Sequence, residues 1–517
     1  METLQRLQFA DLAHLAPELT LVIAAIFFSL LDLMMPNRSN RNVIGWLSLV
    51  AIVISALFVI QDIRMLNTVD EATQLNTSIE PIQLLGQSYV IDDFANLFKL
   101  LLLAGTGLII LMSMGRVKDE EIQHKGEFYY LFLPALVGAM MMASSGDLIT
   151  LFIGLELLSI TSYVMVGIRK KHLGANEGAF KYAVQGGIAS AIVLYGMSFL
   201  YGISGSTNIS EINQALSGSY EDYKAIIYLA AFLLIAGFGF KIAAAPFHTW
   251  APDVYEGSAS PVTAFLAVVS KAAALALTFR IMYSVFALGP FLQSDIHKDI
   301  FLGLSVVAGV AMIVGNAVAL RQRSMKRLLA YSGIANAGYL LVPISTQYGI
   351  VHYSNFTEFL FYLIAYMFMN IGIIAVYMMV SESTQNEEIS AFAGLYYRAP
   401  LTAVAAVILI LSLAGLPVTG GFFGKLYILL GTLQVHKYWL AAVLIGTSVV
   451  SFYYYFGIIR QMFMRSTYAE SEFRSTVPAQ IAVWICVAAT VAMGLIPHVV
   501  IAWIEKLISL QNDFFIR

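Results

Sequence analysis

The chain has 517 residues, 59% of them hydrophobic and 12% charged, with a net charge of −3 and a mean hydropathy of +0.78. So little charge cannot cover the surface of a soluble protein this long, which excludes a string of soluble domains and predicts one all-α polytopic membrane body. The single cysteine, Cys486, sits in an apolar run, which excludes disulfides, iron–sulfur clusters and cysteine zinc sites held by this chain alone.

The first 14 residues mix polar and apolar side chains, and no small-residue cleavage site follows the first apolar run. That run is expected to stay as a first helix and not to leave as a signal. A helix crossing the hydrocarbon core needs about 20 mostly apolar residues. Fourteen segments meet this test: 15–35, 43–62, 93–114, 128–145, 148–168, 177–203, 224–250, 261–287, 299–320, 325–345, 356–381, 400–435, 438–464 and 477–507. The seventh and twelfth are too long for a simple span and hold Pro246 and Pro417 in their interiors. Proline removes a backbone donor and clashes with the preceding turn, so both are predicted to be broken helices. Such breaks are tolerated in a membrane only where protein or a water-filled cavity satisfies the freed backbone.

Loop charge predicts orientation. The loops after odd-numbered segments carry Arg38, Arg41, Arg116, Lys118, Lys125, Arg169, Lys170, Lys171, Arg321, Arg323, Lys326, Arg327, Arg460, Arg465 and Arg474. Those after even-numbered segments are poor in lysine and arginine, so the odd loops are expected in the cytoplasm and both termini outside. The loop 382–398, with Glu382, Glu387, Glu388 and only Arg398, departs from the pattern, but acids weigh little in this rule.

Four ionisable residues fall near the middle of spans: Glu156 on the fifth, Lys241 on the seventh, Lys271 on the eighth and Lys425 on the twelfth. A lysine at the bilayer centre costs at least about 2.5 kcal/mol on insertion scales, so each embedded charge is a functional candidate by default. Three lysines and one acid cannot pair one-to-one, which weakens a purely structural reading in which the charges only hold helices together. The functional reading is a proton relay. Desolvation and a neighbouring cation loosen a lysine's hold on its proton while an opposing glutamate tightens it, so Glu156 suits a modulating partner. The run Gly237-Phe238-Gly239-Phe240-Lys241 resembles Gly421-Phe422-Phe423-Gly424-Lys425. Five segments separate the two, so the copies run in opposite directions, as in transporters whose inverted repeats place an ion path near the midplane.

Other polar residues are less specific. Arg280 keeps its charge at all working pH values and reads as structural, and Lys99, near a helix start, is expected to snorkel. His248 reads either as a proton-entry group or as a helix-end hydrogen bonder. Asp147 and Asp253 read as helix caps or cavity-mouth acids. Tyr453-Tyr454-Tyr455 and Met140-Met141-Met142 read as lipid-facing or packing residues. No dinucleotide fingerprint or Walker loop occurs, no histidine pair has haem or zinc spacing, and no nucleic-acid partner is expected.

At these residues the chain resembles a known family. The stretches Gly239-Phe240-Lys241 through Pro246-Phe247-His248, Trp250 to Tyr255, Ser260-Pro261-Val262-Thr263-Ala264-Phe265 and Ser270-Lys271 are similar to the subunit N family of respiratory complex I, the proton-translocating NADH:quinone oxidoreductase. Supporting stretches are Leu151 to Ser159, Lys326 to Ser332, and Gly415-Leu416-Pro417 through Gly424-Lys425. The resemblance implies fourteen helices with two inverted five-helix repeats. The chain then divides into an N-terminal part at 1–127, a first repeat at 128–287, a second at 288–464 and a last helix at 465–517. It also implies that Glu156 and Lys241 are the family's glutamate–lysine pair, Lys271 its connecting lysine and Lys425 its second-half lysine. The related subunit M has a glutamate at the position of Lys425, and subunit L carries a long C-terminal extension, which this chain is expected to lack. Many relatives have a histidine in helix ten where this chain has Asn336. Asn336 cannot take up a proton, so the link between Lys271 and Lys425 would need water, which Asn336 could orient.

The implied function is proton translocation through these lysines, coupled to quinone reduction in other subunits, with His248, Asp253 and Asn336 as candidates for proton entry or for orienting water. No cofactor or metal is expected in this chain. NAD, quinone, flavin and iron–sulfur clusters are implied for the whole complex, and the expected partners are its other membrane and peripheral subunits, the lipid bilayer and protons. The alternative is a subunit of a multi-subunit cation/proton antiporter. The expected location is a bacterial plasma membrane, with a thylakoid-type membrane as the alternative.

Overall fold

The structure is a computed structural model that describes residues 9–36, 40–66, 81–116, 122, 124–287, 294–346, 355–465, 473 and 475–507. Arg38, Lys118 and Arg474, used above for orientation, lie outside the described residues. In chain order come α1 (Ala16–Met34), α2 (Asn42–Leu66), the hairpin β1 (Ile82–Leu84) and β2 (Tyr89–Ile91), and α3 (Asp93–Ser113). Then follow α4 (Lys125–Ala143), α5 (Leu148–Val166), α6 (Leu173–Ser204), α7 (Lys224–Ile242, resuming as Ala251–Gly257) and α8 (Ser260–Phe286). The remainder are α9 (Asp295–Ala319), α10 (Met325–Ser345), α11 (Asn355–Thr384), α12 (Pro400–Ala414, resuming as Gly420–Gln434), α13 (Tyr438–Met464) and α14 (Val477–Leu495). Among the described residues thirteen helices are long and apolar enough to cross a membrane, and α12 enters as two shorter apolar halves. The all-helical, fourteen-segment reading therefore stands.

These helices are apolar on all sides, so burial inside the bundle is decided by position and not by an amphipathic stripe. The apolar windows of α8, α10 and α11 are 100%, 94% and 89% buried, against 28% for α1 and 33% for α13. The first three form the interior; the last two line the rim. An aromatic cluster seats them: Phe279 of α8 lies 5.5 Å from Phe94 of α3 and 5.0 Å from Phe356 of α11, ring centroid to centroid. Edge-to-face and offset pairs of this kind contribute about 0.5–1.5 kcal/mol each beyond their buried area.

The loops sort by parity. On one face, β2 bridges to the α4–α5 loop at Tyr89 and Ser145, and that loop bridges to the α6–α7 segment at Asp147 and Asn208. On the other, the α9–α10 loop bridges to the α11–α12 segment at Ser324 and Glu388, and Arg116 after α3 pairs with Glu382 in the last turn of α11 at 2.5 Å. Odd loops thus share the basic face. Asp147 is a helix cap, accepting from Thr150 N at 2.6 Å at the start of α5, one of the two roles its position allowed.

Lys99 corrects the expectation that it snorkels. It is fully buried, and its Nζ lies 2.9 Å from Glu18 Oε1 of α1. The same oxygen accepts from the Tyr89 hydroxyl at 2.6 Å. A carboxylate two helices away in sequence supplies what solvent would have, and no local pattern around Lys99 reports that. Arg280 is structural as expected, donating from Nη2 to both Asp92 oxygens at 2.9 Å.

Candidate functional site

Both predicted breaks occur, and each leaves backbone carbonyls that a side chain takes up. In α7 the helix stops at Ile242, and Ala243 turns into the left-handed region at φ 59°. The cause is Pro246: the residue before a proline disfavours the α region, so the helix must end upstream. Ala244 N closes onto Gly239 O at 2.8 Å, and the indole of Trp250, beyond the break, donates to Phe240 O at 2.9 Å. In α12 the first half ends on Gly415 at φ 86°, whose N–H and that of Leu416 both reach Leu411 O at 3.0 Å. Lys425 Nζ then donates to the exposed carbonyls of Leu413 and Ala414 at 2.9 and 3.3 Å. A cation on the C-terminal end of a half-helix meets the negative end of its dipole. The break precedes the lysine in α12 and follows it in α7, so the five-residue likeness marks matching lysines on opposite sides of their breaks.

Lys241 closes the first half of α7 and is 5% exposed. Its ammonium donates to Ser159 Oγ of α5, which donates in turn to Leu155 O. The rings of Tyr163 and Tyr182 lie 5.5 and 5.9 Å from Nζ, within cation–π range. Glu156, one turn before Ser159, is within electrostatic reach of Lys241 but not in contact with it. Its Oε1 is buried with no hydrogen-bond partner among the described residues. The pair is therefore a separated one.

Lys271 opens the last part of α8, directly after a π-helical turn at Leu266–Ser270. Such turns recur at functional sites because they offset the backbone ladder. Its Nζ donates to Gly333 O of α10 at 2.6 Å and reaches the Tyr366 hydroxyl of α11 at 3.4 Å. The ring of Tyr182, which borders Lys241, also lies near Ser270, the residue before Lys271. Asn336 sits on α10 between Gly333, which meets Lys271, and Tyr339, whose ring borders Lys425. Its Oδ1 accepts from the Tyr362 hydroxyl at 2.5 Å and its Nδ2 donates to Ser332 O at 2.8 Å. Ser332 shares a further hydrogen bond with the Tyr455 hydroxyl. The ring of Tyr339, one turn from Asn336, lies 5.0 Å from Lys425 Nζ.

Of the residues singled out from sequence, Lys241, Lys271, Asn336 and Lys425 are all buried, and with the groups they touch they make up a discontinuous polar track. His248 and Asp253 lie apart, toward the basic face. His248 is partly exposed, with Nδ1 unpartnered among the described residues. Asp253 is tied into an ion-pair cluster, accepting from Lys181 and Arg327 at 2.7 Å each, while Arg327 also reaches Glu256 at 3.0 Å. The track also includes residues the sequence did not mark: Ser159, Tyr182, Ser332, Tyr362 and Tyr366. The reading of the tyrosine run as packing or lipid-facing residues holds: Tyr453 faces outward, at 75% exposed, while Tyr454 and Tyr455 are buried and pack between helices. The one legible signal was the i, i+4 recurrence of polar residues in α11, from Glu358 to Tyr362, Tyr366 and Asn370, which puts them on one helix face.

A family described as NADH:quinone oxidoreductase/Mrp antiporter, transmembrane, matches residues 145–451. A relative from a Paenibacillus species, an NADH-quinone oxidoreductase subunit N, is 52% identical, covering 99% of this chain and 99% of that one. Another of that name from Brevibacillus brevis is 48% identical over 98% and 96%. Among solved structures, a chain of respiratory complex I from Thermus thermophilus with bound aureothin superposes with a TM-score of 0.74 and 28% identity, covering 94% of this chain and 98% of that chain. A chain of the Mrp complex from a Dietzia species shares the fold, with a TM-score of 0.82 at 17% identity over 98% of each. On the matched family region and the full-length relatives, the chain belongs to the subunit N family of NADH-quinone oxidoreductase, within the wider NADH:quinone oxidoreductase/Mrp antiporter transmembrane family.

Proposed function

We propose that this multi-pass membrane protein is a proton-translocating membrane-arm subunit of NADH:quinone oxidoreductase. The observation that carries the reading is the track itself. Three buried lysines, two of them at helix breaks and one beside a π turn, take hydroxyl and backbone carbonyl groups as partners instead of carboxylates. A chain that needed ammonium groups only for packing would pair them, because a buried unpaired charge costs several kcal/mol. Glu156 sets the first step: any movement of its carboxylate changes the field at Lys241, and Ser159, which meets the Lys241 ammonium, passes or holds the proton. The Tyr182 and Ser270 hydroxyls lead to Lys271. Tyr366, Tyr362 and Asn336 lead on to the neighbourhood of Lys425.

Electron transfer from NADH to quinone, with its flavin and iron–sulfur clusters, would take place in partner subunits and reach this chain as a change of charge or shape near Glu156. The lone buried Cys486 supports that division. With the basic loops in the cytoplasm of a bacterial cell, both termini lie outside and protons move away from the basic face.

The reading is tested by isolating the complex through a tag on this chain and measuring NADH-driven proton transport in sealed vesicles. Flavin and iron–sulfur subunits are expected to co-purify, and Lys271→Ala is expected to stop proton transport without dissociating the complex. Sodium-driven proton exchange by this chain in vesicles without those subunits would favour the antiporter instead. A smaller effect is expected at the link between lysines. Tyr362→Phe removes one hydrogen bond to Asn336, worth about 1 kcal/mol, and should slow coupled turnover by about fivefold. Unchanged turnover would remove Tyr362 from the path.

A further inference from the structure

Glu358 is the one acidic side chain on the polar face of α11, and the track described above does not use it. It sits in the first turn of that helix and is 4% exposed. Among the described residues it makes no hydrogen bond and no ion pair. Its carboxylate occupies the place a side chain on α12 would take, since a Cβ added at Gly431 would fall 2.3 Å from Oε2. One turn further along α11, Tyr362 packs against Gly424 of the same half of α12, where an added Cβ would fall 2.4 Å from its Cδ2. The polar face of α11 therefore runs along the Lys425-bearing half of α12, with Tyr366 beside Lys271 at one end and Glu358 at the other. Gly431 is six residues beyond Lys425, an axial step of about 9 Å, in the direction away from the basic face. At that end Lys437, which follows α12, donates to Ser345 O at 2.8 Å, and Asn355, one turn before Glu358, donates to Thr346 O at 2.8 Å.

A buried carboxylate with no donor around it is expensive to keep if its task is only to hold helices together. Position gives it another task. It stands between Lys425 and the nearest loops of the far face, in a stretch where α12 presents glycine and no competing side chain.

We propose that Glu358 is the proton-release group of this subunit, the side chain that takes the proton leaving Lys425 and delivers it to the face opposite the basic loops. The ammonium of Lys425 becomes an amine as the Glu358 carboxylate becomes a carboxylic acid. Loss of that proton to water at the far face restores the carboxylate. This assignment rests on the relay proposed above and adds its last step.

The test compares Glu358→Gln and Glu358→Asp in the assembled complex, with Lys271→Ala alongside, by NADH:quinone turnover and NADH-driven proton transport in sealed vesicles. Glutamine keeps the size and polarity of the side chain but cannot carry the proton, so turnover and transport are expected to fall together by about tenfold or more. Aspartate is expected to restore most of the loss. Wild-type rates in Glu358→Gln overturn the assignment, as does equal loss in both variants. Failure of the isosteric glutamine chain to enter the complex also overturns it, because the role would then be structural. If Lys271→Ala itself transports protons normally, the relay fails; if Lys271→Ala stops transport and Glu358→Gln does not, only the release group fails.

Discussion

Replacing Lys241 with alanine is expected to abolish NADH-driven proton transport by the assembled complex, with coupled turnover lowered by about a hundredfold or more, the range a positioned proton-transfer group supplies. The side chain is buried at the end of the first half of α7, and its ammonium touches Ser159, not a carboxylate. Without it the path from Glu156 toward Ser270 and Lys271 has no group that can hold a proton at the break. Folding should tolerate the change, because the break is closed by Ala244 N, Phe240 O and the Trp250 indole, none of which involves the lysine side chain. Glu156→Gln should weaken coupling as well, since it leaves size and polarity in place and removes only the charge that Lys241 senses. The measurement is the proton-to-electron ratio in sealed vesicles, with assembly checked on the same preparation. Full stoichiometry in both Lys241→Ala and Glu156→Gln would end the relay assignment.

The second large effect is on stability. Glu18→Ala should cost about 3–5 kcal/mol, because it leaves the fully buried ammonium of Lys99 without the carboxylate 2.9 Å away and a buried charge stripped of its partner is strongly destabilising. The Tyr89 hydroxyl loses its acceptor in the same step, which detaches β2 from α1. Against a typical stability of about 5–15 kcal/mol, such a loss should leave little of the chain in the membrane-bound complex. Pairing it with Lys99→Met removes the stranded charge and should restore part of the loss. Thermal melting of the purified complex, or its yield from membranes, reads the difference. Equal melting of Glu18→Ala and the parent would mean that Lys99 is neutralised elsewhere, with Asp62 a carboxylate within electrostatic reach of it.

What could be read from the residues differs by kind. Pro246 and Pro417 announced the two breaks because proline's effect is local and covalent. Lys241, Lys271 and Lys425 stood out because a charge in an apolar run is costly wherever it ends up. The resemblance at the α7–α8 stretch assigned them to a path, and the fold buries Lys271 among α8, α10 and α11 and Lys241 against α5 and α6. Lys99 went the other way. Its position near a helix start suggested snorkelling, and its partner, Glu18, is 81 residues earlier in the chain. Tyr455 was hidden for a similar reason: three consecutive tyrosines point in three directions on a helix, and only packing chooses which one meets Ser332.

The residues by themselves determined the membrane class, the number of crossings, the two breaks and the embedded lysines, since each follows from hydropathy, proline geometry or the cost of a buried charge. Tertiary structure alone decided what each lysine touches. Ser159 faces Lys241, Gly333 and Tyr366 face Lys271, and the carbonyls of Leu413 and Ala414 face Lys425. Apart from the polar face of α11, these helices are so apolar that no periodicity reports which face turns inward. The polar contacts of a membrane interior are therefore set by how helices distant in sequence rotate against one another, and they become visible only once the bundle is assembled.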